Sequence, residues 1–391
     1  MKKSPLIVVF TTVMLDLIGF GMVIPLIALY GLHFGASAFQ LGILGAAFSL
    51  LQFFFSPFWG ALSDRIGRRP VLLISLAGST LSYLLFGLAQ NYWWLLISRA
   101  CGGIFAANIA TAQAYIADVT PKEERARGMG LIGAAFGIGF TLGPPLGGIA
   151  GHYLGLGAPG LIAALVCGLN LLLAFIRLPE SLPPEKRHQG SNRSLLPLSP
   201  EALRMAFGSA LLGGLIMVFF FSTLAISNME QAFSPFLSYA LSFDTADAAL
   251  GTGMVLMWMS LLGAIVQGGL IKHLVKRYGE WRLLSAGLAC FSLGMLLFPL
   301  CPGYGYYFAL AFLLAVGSGL SNPALSALIS HSVDASRQGM VFGLTQGLAS
   351  LARAVGPFSG LLLFSYWPGG PFYLGALILA LAFVFTLRLS R

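Results

Sequence analysis

Charge is what this sequence has least of. Only 9% of its 391 residues are Asp, Glu, Lys or Arg, against about 25% in an ordinary soluble domain. That excludes a soluble globular enzyme. Polar low-complexity sequence is nearly absent, which excludes a disordered or collagen-like chain. Cysteine is scarce too: Cys101, Cys167, Cys290 and Cys301 have no paired spacing, and three of them lie in apolar runs. They read as small hydrophobes. The histidines His33, His152, His188, His273 and His331 fall in loops or at the ends of apolar runs. None has a Cys or acid at ligand spacing, so no metal is expected. There is no GxxxxGKS/T loop and no soluble domain to carry one, so ATP is not expected as a direct energy source. No nucleophile, base and orienting group cluster, so the chain is not read as an enzyme.

What is present is apolar sequence, 57% of the chain with a mean hydropathy of +0.86. A membrane-spanning helix needs roughly 20 apolar residues. Twelve such runs are predicted, near 5–30, 38–62, 70–89, 92–117, 128–151, 158–178, 205–240, 248–271, 282–300, 306–330, 340–364 and 371–388. The run from Leu6 to Tyr30 is too long for a signal-peptide core of about 7–15 residues, so it is read as a span that stays. Gly supplies 49 residues, as close helix packing in lipid favours. The stretch 179–204, with five prolines and several charges, is the one long interruption. It divides a first bundle (1–178) from a second (205–391). The fold class expected is all-α integral membrane, twelve helices in two pseudo-symmetric six-helix bundles.

The placement of charge sets the expected topology. With the amino terminus cytoplasmic, inside segments hold 20 of the 22 Lys and Arg and the outside loops hold none. The net +9 is then a topology signal and not a nucleic-acid footprint. Trp93, Trp94, Tyr304, Tyr306, Tyr366 and Trp367 fall at outer ends, as an aromatic belt does. The expected location is a cell membrane of the bacterial inner-membrane type, with both termini cytoplasmic.

The halves also echo each other. A shift of 213 lays Gly130-Leu131 on Gly343-Leu344, Gly143-Pro144 on Gly356-Pro357 and Gly147 on Gly360, and brings Asp16 to within one position of Glu230. Paired six-span halves are a transporter architecture with the site between them.

Four charges lie inside spans: Asp16, Arg99, Glu230 and Arg353. Each costs about 2.5–3.5 kcal/mol at the bilayer centre on insertion scales, and such residues are functional by default. A structural ion pair locking helices is the alternative. Burial and a neighbouring guanidinium act in opposite senses on a carboxyl group's proton affinity. An acid held between them loads and releases a proton near neutral pH, as a proton-coupled carrier requires.

Gly60-Ala61-Leu62-Ser63-Asp64-Arg65-Ile66-Gly67-Arg68-Arg69-Pro70 joins spans 2 and 3. It resembles the signature loop of the major facilitator superfamily. That resemblance implies that Asp64 and Arg68 pair with Asp118 at the inner end of span 4 and lock one conformational state. A weaker echo runs from Gly269 to Arg282 and lacks the acid. Span 5 carries Gly139-Phe140-Thr141-Leu142-Gly143-Pro144-Pro145-Leu146-Gly147-Gly148, which resembles the antiporter motif of drug:proton antiporters in that superfamily. A plain Gly packing face is compatible with it. Span 1, from Leu15-Asp16 to Ile24-Pro25, resembles that of tetracycline-resistance and related multidrug efflux proteins, which makes Asp16 a coupling acid. Arg99 with Gly102 and Gly103 resembles the family's intramembrane Arg motif. The tetracycline carriers' substrate positions are not clearly reproduced.

By the same resemblance the central cavity is lined by spans 1, 4, 7 and 10, with 2, 5, 8 and 11 beside them. Candidate polar liners are Gln52, Asn108, Gln113, Asn228, Gln231, Asn322 and Gln346. Phe20, Phe220, Met254, Met257 and Trp258 are candidates for an adaptable apolar wall. Helix packing is the competing role for each of them. The expected function is proton-coupled efflux of amphipathic or hydrophobic small molecules such as drugs or tetracycline-like compounds, by alternating access. The coupling ion is the proton, no other cofactor is expected, and a monomer in membrane lipid is expected. The alternatives are a proton-coupled uptake carrier for a sugar or organic acid, and a non-transporting membrane sensor with the same fold.

Overall fold

The computed structural model describes residues 5–106, 108–120, 125–187, 200–300, 303–333 and 338–389. Twelve helices among them are long and apolar enough to cross a membrane, and there is no strand. In chain order, spans 1 to 6 are Leu6–His33, Ala38–Ile66, Arg68–Gly87, Tyr92–Val119, Leu131–Leu154 and Ala158–Arg177. Spans 7 to 12 are Ala210–Leu241, Thr245–Tyr278, Glu280–Leu297, Tyr304–His331, Met340–Tyr366 and Gly370–Leu389.

Local chemistry sets several helix ends. Span 2 starts on a capping box: the Gln40 amide donates to Ser37 Oγ while Ser37 N donates 2.8 Å to Gln40 Oε1. Asn91 caps span 4 through the Trp93 and Trp94 amides. Asp244 caps span 8 by accepting from Asp247 N at 2.7 Å. Span 2 stops at Gly67, whose φ of 108° suits glycine alone.

Three elements differ from the sequence expectation. Span 4 is not one helix: Tyr92–Phe105 ends and Asn108–Val119 begins. The freed carbonyls find side-chain donors, Ile104 O from Trp59 Nε1 and Phe105 O from Ser75 Oγ. Non-helical backbone at membrane depth is tolerated only with such partners. Span 8 passes through a single π turn, Val266–Leu270, and continues helically to Tyr278. Lys272, Lys276 and Arg277 therefore ride on the last helical stretch of span 8, as Asp64 and Arg65 ride on the last turns of span 2. The stretch between the halves is partly helical, with Pro200–Gly208 leading up to span 7.

Two large hydrophobic cores form, with two small clusters beside them. One runs from Val8 to Leu178 and takes in Leu361; the other runs from Ala206 to Ala382. The halves meet at the end away from the described termini, called the far end below. Span 5 packs on span 8 there, and span 2 on span 11. A methyl added to Gly148 would lie 2.6 Å from Ala249 O, and one at Gly253 would lie 2.6 Å from Pro144 O. Phe39 and Phe358 meet edge to face at 5.6 Å. Ser234 Oγ donates to Pro25 O at 2.6 Å, where span 1 is interrupted by Ile24–Leu26. His152 Nδ1 stands 3.5 Å from Asp247 Oδ1 across the same contact. Toward the near end these four spans present Gly60, Gly133, Gly137, Gly263, Gly269 and Gly343 to open space. Among the described residues, the contacts named here close the two halves on each other at the far end, while these glycines toward the near end meet nothing.

Trp93, Tyr366 and Trp367 are exposed at the far rim. Tyr304 instead turns inward, its hydroxyl donating to Gly251 O at 3.4 Å.

Candidate functional site

Asp16 sits in the middle of span 1 and points into the interior of the first half. It is 7% exposed. Cys167 Sγ of span 6 lies 3.8 Å from Asp16 Oδ1. One turn away along the same two helices, Asn170 Nδ2 donates to Thr12 O at 2.8 Å. Tyr83 of span 3 reaches across to span 1, where its ring would touch a methyl on Gly19 at 3.4 Å. It lies within electrostatic reach of both Asp16 and Arg99.

Arg99 is 4% exposed. Its guanidinium lies over two aromatic faces, 4.6 Å from the Phe48 centroid and 6.0 Å from that of Phe20. Desolvated cation–π contacts of this kind contribute about 2 kcal/mol. Arg99 Nε has no hydrogen-bond partner. Gly102 and Gly103 let this turn approach span 2: a methyl at Gly102 would come 3.2 Å from Phe48 Cδ2, and one at Gly103 would come 3.0 Å from Leu51 Cβ. Phe20, expected as cavity wall, packs on Phe48 and Phe140 with centroids 5.1 and 6.2 Å away. It serves the Arg99 site from below.

The second pair of charges is arranged differently. Glu230 and Arg353 are half-buried and within electrostatic reach, but among the described residues no ion pair within 4 Å joins them. Arg353 Nη2 donates to Ser350 Oγ at 3.1 Å. The packing register corrects the sequence repeat here. Gly147 of span 5 rests on Met22, whereas its counterpart Gly360 in span 11 rests on Asn228. Glu230 lies nearer the far end than Asp16 does, one turn before Ser234, which bonds Pro25 O. It is not Asp16's counterpart, because the glycine repeat of spans 5 and 11 and the acid positions of spans 1 and 7 follow different registers.

The signature loop forms a network at the near end. Arg68 pairs with Asp64 Oδ1 through Nη1 and with Asp118 Oδ2 through Nε at 3.1 Å. Arg68 Nη1 also donates to Ser63 Oγ. Glu180, from the stretch between the halves, accepts from the amides of Arg68 (2.9 Å) and Arg69 (3.3 Å). It thereby caps span 3, whose own cap position is Gly67 and offers no side chain. Ser181 Oγ donates to Asp118, and Tyr115 OH to Pro179 O. Arg69 reaches Phe175 O through Nη2. Arg65 is exposed at the end of span 2. All these partners belong to one half or to residues 179–181. Hydrogen bonds to a charged acceptor contribute about 1.5–3 kcal/mol each. Glu180→Ala is therefore expected to lower the thermal unfolding midpoint in detergent by several degrees and to speed proteolysis after Arg177. The exposed Glu185→Ala is expected to change neither.

The glycines of the antiporter motif form a contact face. Gly139 packs on Leu17, Gly143 on Gly21 and Gly147 on Met22, all in span 1. A methyl at Gly143 would come within 2.7 Å of Gly21 Cα and 2.8 Å of Ile18 O. Pro144 and Gly148 face span 8 of the other half. One motif thus glues span 5 to its own bundle and presents it to the opposite one.

The candidate polar liners differ in burial. Gln113 and Gln346 are exposed, and Gln52, Met257 and Asn322 half-buried. Asn228 is fully buried against span 11, which makes it a helix-packing residue. Gln231 is 8% exposed and faces Gly45 of span 2. Trp258 is exposed and lines a shallow recess with Phe308 and Phe312. Asn108 opens the second segment of span 4, and its side chain lies outside the described residues. Tyr83, Cys167, Asn170, Thr12 and Glu180 were missed in the sequence. Asn170 carried the clearest signal, as the one polar side chain among the apolar residues from Leu161 to Ile176.

Comparison with known proteins matches this architecture to membrane transporters. The profile described as Major Facilitator Superfamily matches residues 219–391, and that of an MFS_1-like family matches 1–158. The class C tetracycline resistance protein of Escherichia coli is 36% identical over 384 residues, covering 96% of this chain and 94% of that protein. Multidrug resistance protein 2 of Bacillus subtilis is 28% identical, covering 99% and 95%. The crystal structure of the human organic anion transporter MFSD10 superposes with a TM-score of 0.71 at 26% identity, covering 97% of this chain and 98% of that one. The chain belongs to the major facilitator superfamily of transporters, in its tetracycline-resistance-like branch.

Proposed function

We propose that this transporter exports amphipathic or hydrophobic compounds of the tetracycline kind across the cytoplasmic membrane in exchange for protons, by alternating access. The observation that carries this reading is the Asp16 site: a carboxylate buried inside one bundle, with Arg99 on the same side. Keeping charge at membrane depth costs several kcal/mol, and the mechanism is what repays it. The relatives support the cargo class. The lysine and arginine distribution supports a cytoplasmic near end, which in this reading leaves the far-end contact on the outer side. Rocking about the far-end contact of spans 2, 5, 8 and 11 would then expose the site to the opposite side. Because Asp16 faces span 6 and not the partner bundle, protonation acts on substrate through the packing of span 1. The transporter works as a monomer with the proton as coupling ion and no other cofactor.

A growth-protection screen tests the reading. Cells expressing the protein are expected to tolerate tetracycline or other amphipathic toxins several-fold better than controls, and to lose that protection with a protonophore. Sensitisation instead of protection would indicate uptake and overturn the proposed direction. Protection untouched by the protonophore would overturn the coupling.

A further inference from the structure

A contact at the far end brings together an acid and a histidine from different halves. His152 lies in the last turn of span 5 and Asp247 in the first turn of span 8. His152 Nδ1 stands 3.5 Å from Asp247 Oδ1, and this nitrogen is buried with no hydrogen-bond partner. Each side chain sits where the backbone suits its charge, since a helix carboxyl end favours a cation and a helix amino end an anion. The Asp247 backbone N–H donates to Asp244 Oδ1 at 2.7 Å, which holds this residue in the helix cap. A cavity of about 410 Å³ opens at the same seam. It is lined by Tyr30, His33, His152 and Leu156 of the first half and by Thr245 and Ala246 of the second. His33 is exposed and the His152 side chain is itself 25% exposed, so water reaches the pair. Further titratable groups about the seam are Tyr153 beside His152, Tyr30 and His33 of span 1, Asp244 of span 8 and Tyr304 of span 10. The loops at this end, 34–37, 88–91, 155–157, 242–244, 298–303 and 367–369, hold no Lys or Arg. No fixed cation in them competes for Asp247.

We propose that His152 and Asp247 form a latch between the two halves that tightens when His152 takes up a proton, so that acid at the far end holds this end shut. The pair spans the halves, so it exists only while the far end is closed. A protonated His152 is attracted to the Asp247 carboxylate in that state and loses the attraction when the halves part. A proton that stabilises one state more than the other shifts the population toward it. Histidine changes charge between pH 5 and 8, which sets the window: the latch holds at pH 5 and is slack at pH 8. A partly exposed ion pair is weak, so the latch biases the transition without freezing it. With the far end on the outer side, as proposed above, external acid slows its opening. The latch itself depends neither on that orientation, nor on the cargo, nor on Asp16.

Spin labels at Trp93 and Tyr366, exposed at the far rim with one on each half, measure the latch in cargo-free protein. Relative to His152→Gln, the far-end-open population of the wild-type protein is expected to fall about threefold between pH 8 and pH 5. Asp16 and Glu230 are present in every variant, so their own response to pH cancels in this comparison. Asp247→Asn, which keeps the backbone N–H used by the cap, is expected to match His152→Gln. His152→Lys, charged throughout the range, is expected to show the low open population already at pH 8. His33→Gln, which changes the other histidine of the cavity, is expected to follow the wild type. A full wild-type response to pH in either His152→Gln or Asp247→Asn overturns the inference. So does a response that vanishes in His33→Gln, which would place the sensor on span 1.

Discussion

Asp16→Asn is expected to abolish gradient-driven export while leaving probe binding and counterflow in place. The substitution changes one atom of a side chain that is 7% exposed, so packing against Cys167 and span 6 is retained. What it removes is the ability to exist both charged and neutral. A permanently neutral side chain there also lifts the burial cost of several kcal/mol, so the folded protein is expected to be at least as stable as wild type. Loss of activity in a protein of unchanged or raised unfolding midpoint separates coupling from folding. The expected fall in gradient-driven rate is about 100-fold or more, the scale on which a positioned proton-transfer group contributes. Glu230→Gln is expected to differ. Glu230 lies one turn before Ser234 of the far-end contact, between Asn228, packed on Gly360, and Gln231, packed on Gly45. Its replacement is expected to alter the balance between conformations and the apparent affinity while the remaining transport still follows the pH gradient. Proteoliposomes with imposed gradients measure both. An Asp16→Asn protein that still concentrates the probe against its gradient would sink the mechanism.

Much of the architecture was legible because it follows from one-dimensional features. Twelve apolar runs became twelve helical spans, two of them interrupted, since the bilayer demands internally satisfied backbone over a fixed length. The signature loop was legible because its charges pair locally, Arg68 with Asp64 on the preceding helix. What stayed hidden depends on register and direction. The break at Ala106 is permitted by donors from Trp59 and Ser75, far away in sequence. The pairing of Asp16 with Cys167 depends on which face of span 6 turns inward, and an apolar helix with polar residues on no consistent stripe does not reveal it. Glu180 looked like one charge in a proline-rich linker. Only the fold shows it seated on the bare amino end of span 3. Asn228 and Gln231 were picked as polar residues in a span, and only the fold shows them seated against glycines of neighbouring spans, Gly360 and Gly45.

Gly148→Ala is expected to shift the resting protein toward its opposite conformation without unfolding it. The reason lies in where each motif glycine sits. Gly143 packs inside one bundle, so a side chain there must part span 5 from span 1, and Gly143→Val is expected to cripple expression. Gly148 packs across the bundles, where an added methyl would meet Ala249 O at 2.6 Å. That clash exists only while the far end is closed. Overpacking of a tight contact costs about 1–3 kcal/mol, and here the cost falls on one state alone. Because about 1.4 kcal/mol is tenfold in an equilibrium, the far-end-open population is expected to rise about tenfold. Gly253→Ala, which would press on Pro144 O from the other side, is expected to do the same. Spin labels at Phe39 and Tyr366, on spans 2 and 11 at the far rim, report the opening as a longer distance population. Labels at the near ends of the same spans report the matching closure. Both substitutions together are expected to add little beyond one, since once the contact is open neither methyl meets anything. An unchanged distance distribution in both variants would show that this end does not open as a unit. The glycines would then be packing residues alone, and the motif would have no share in the conformational cycle.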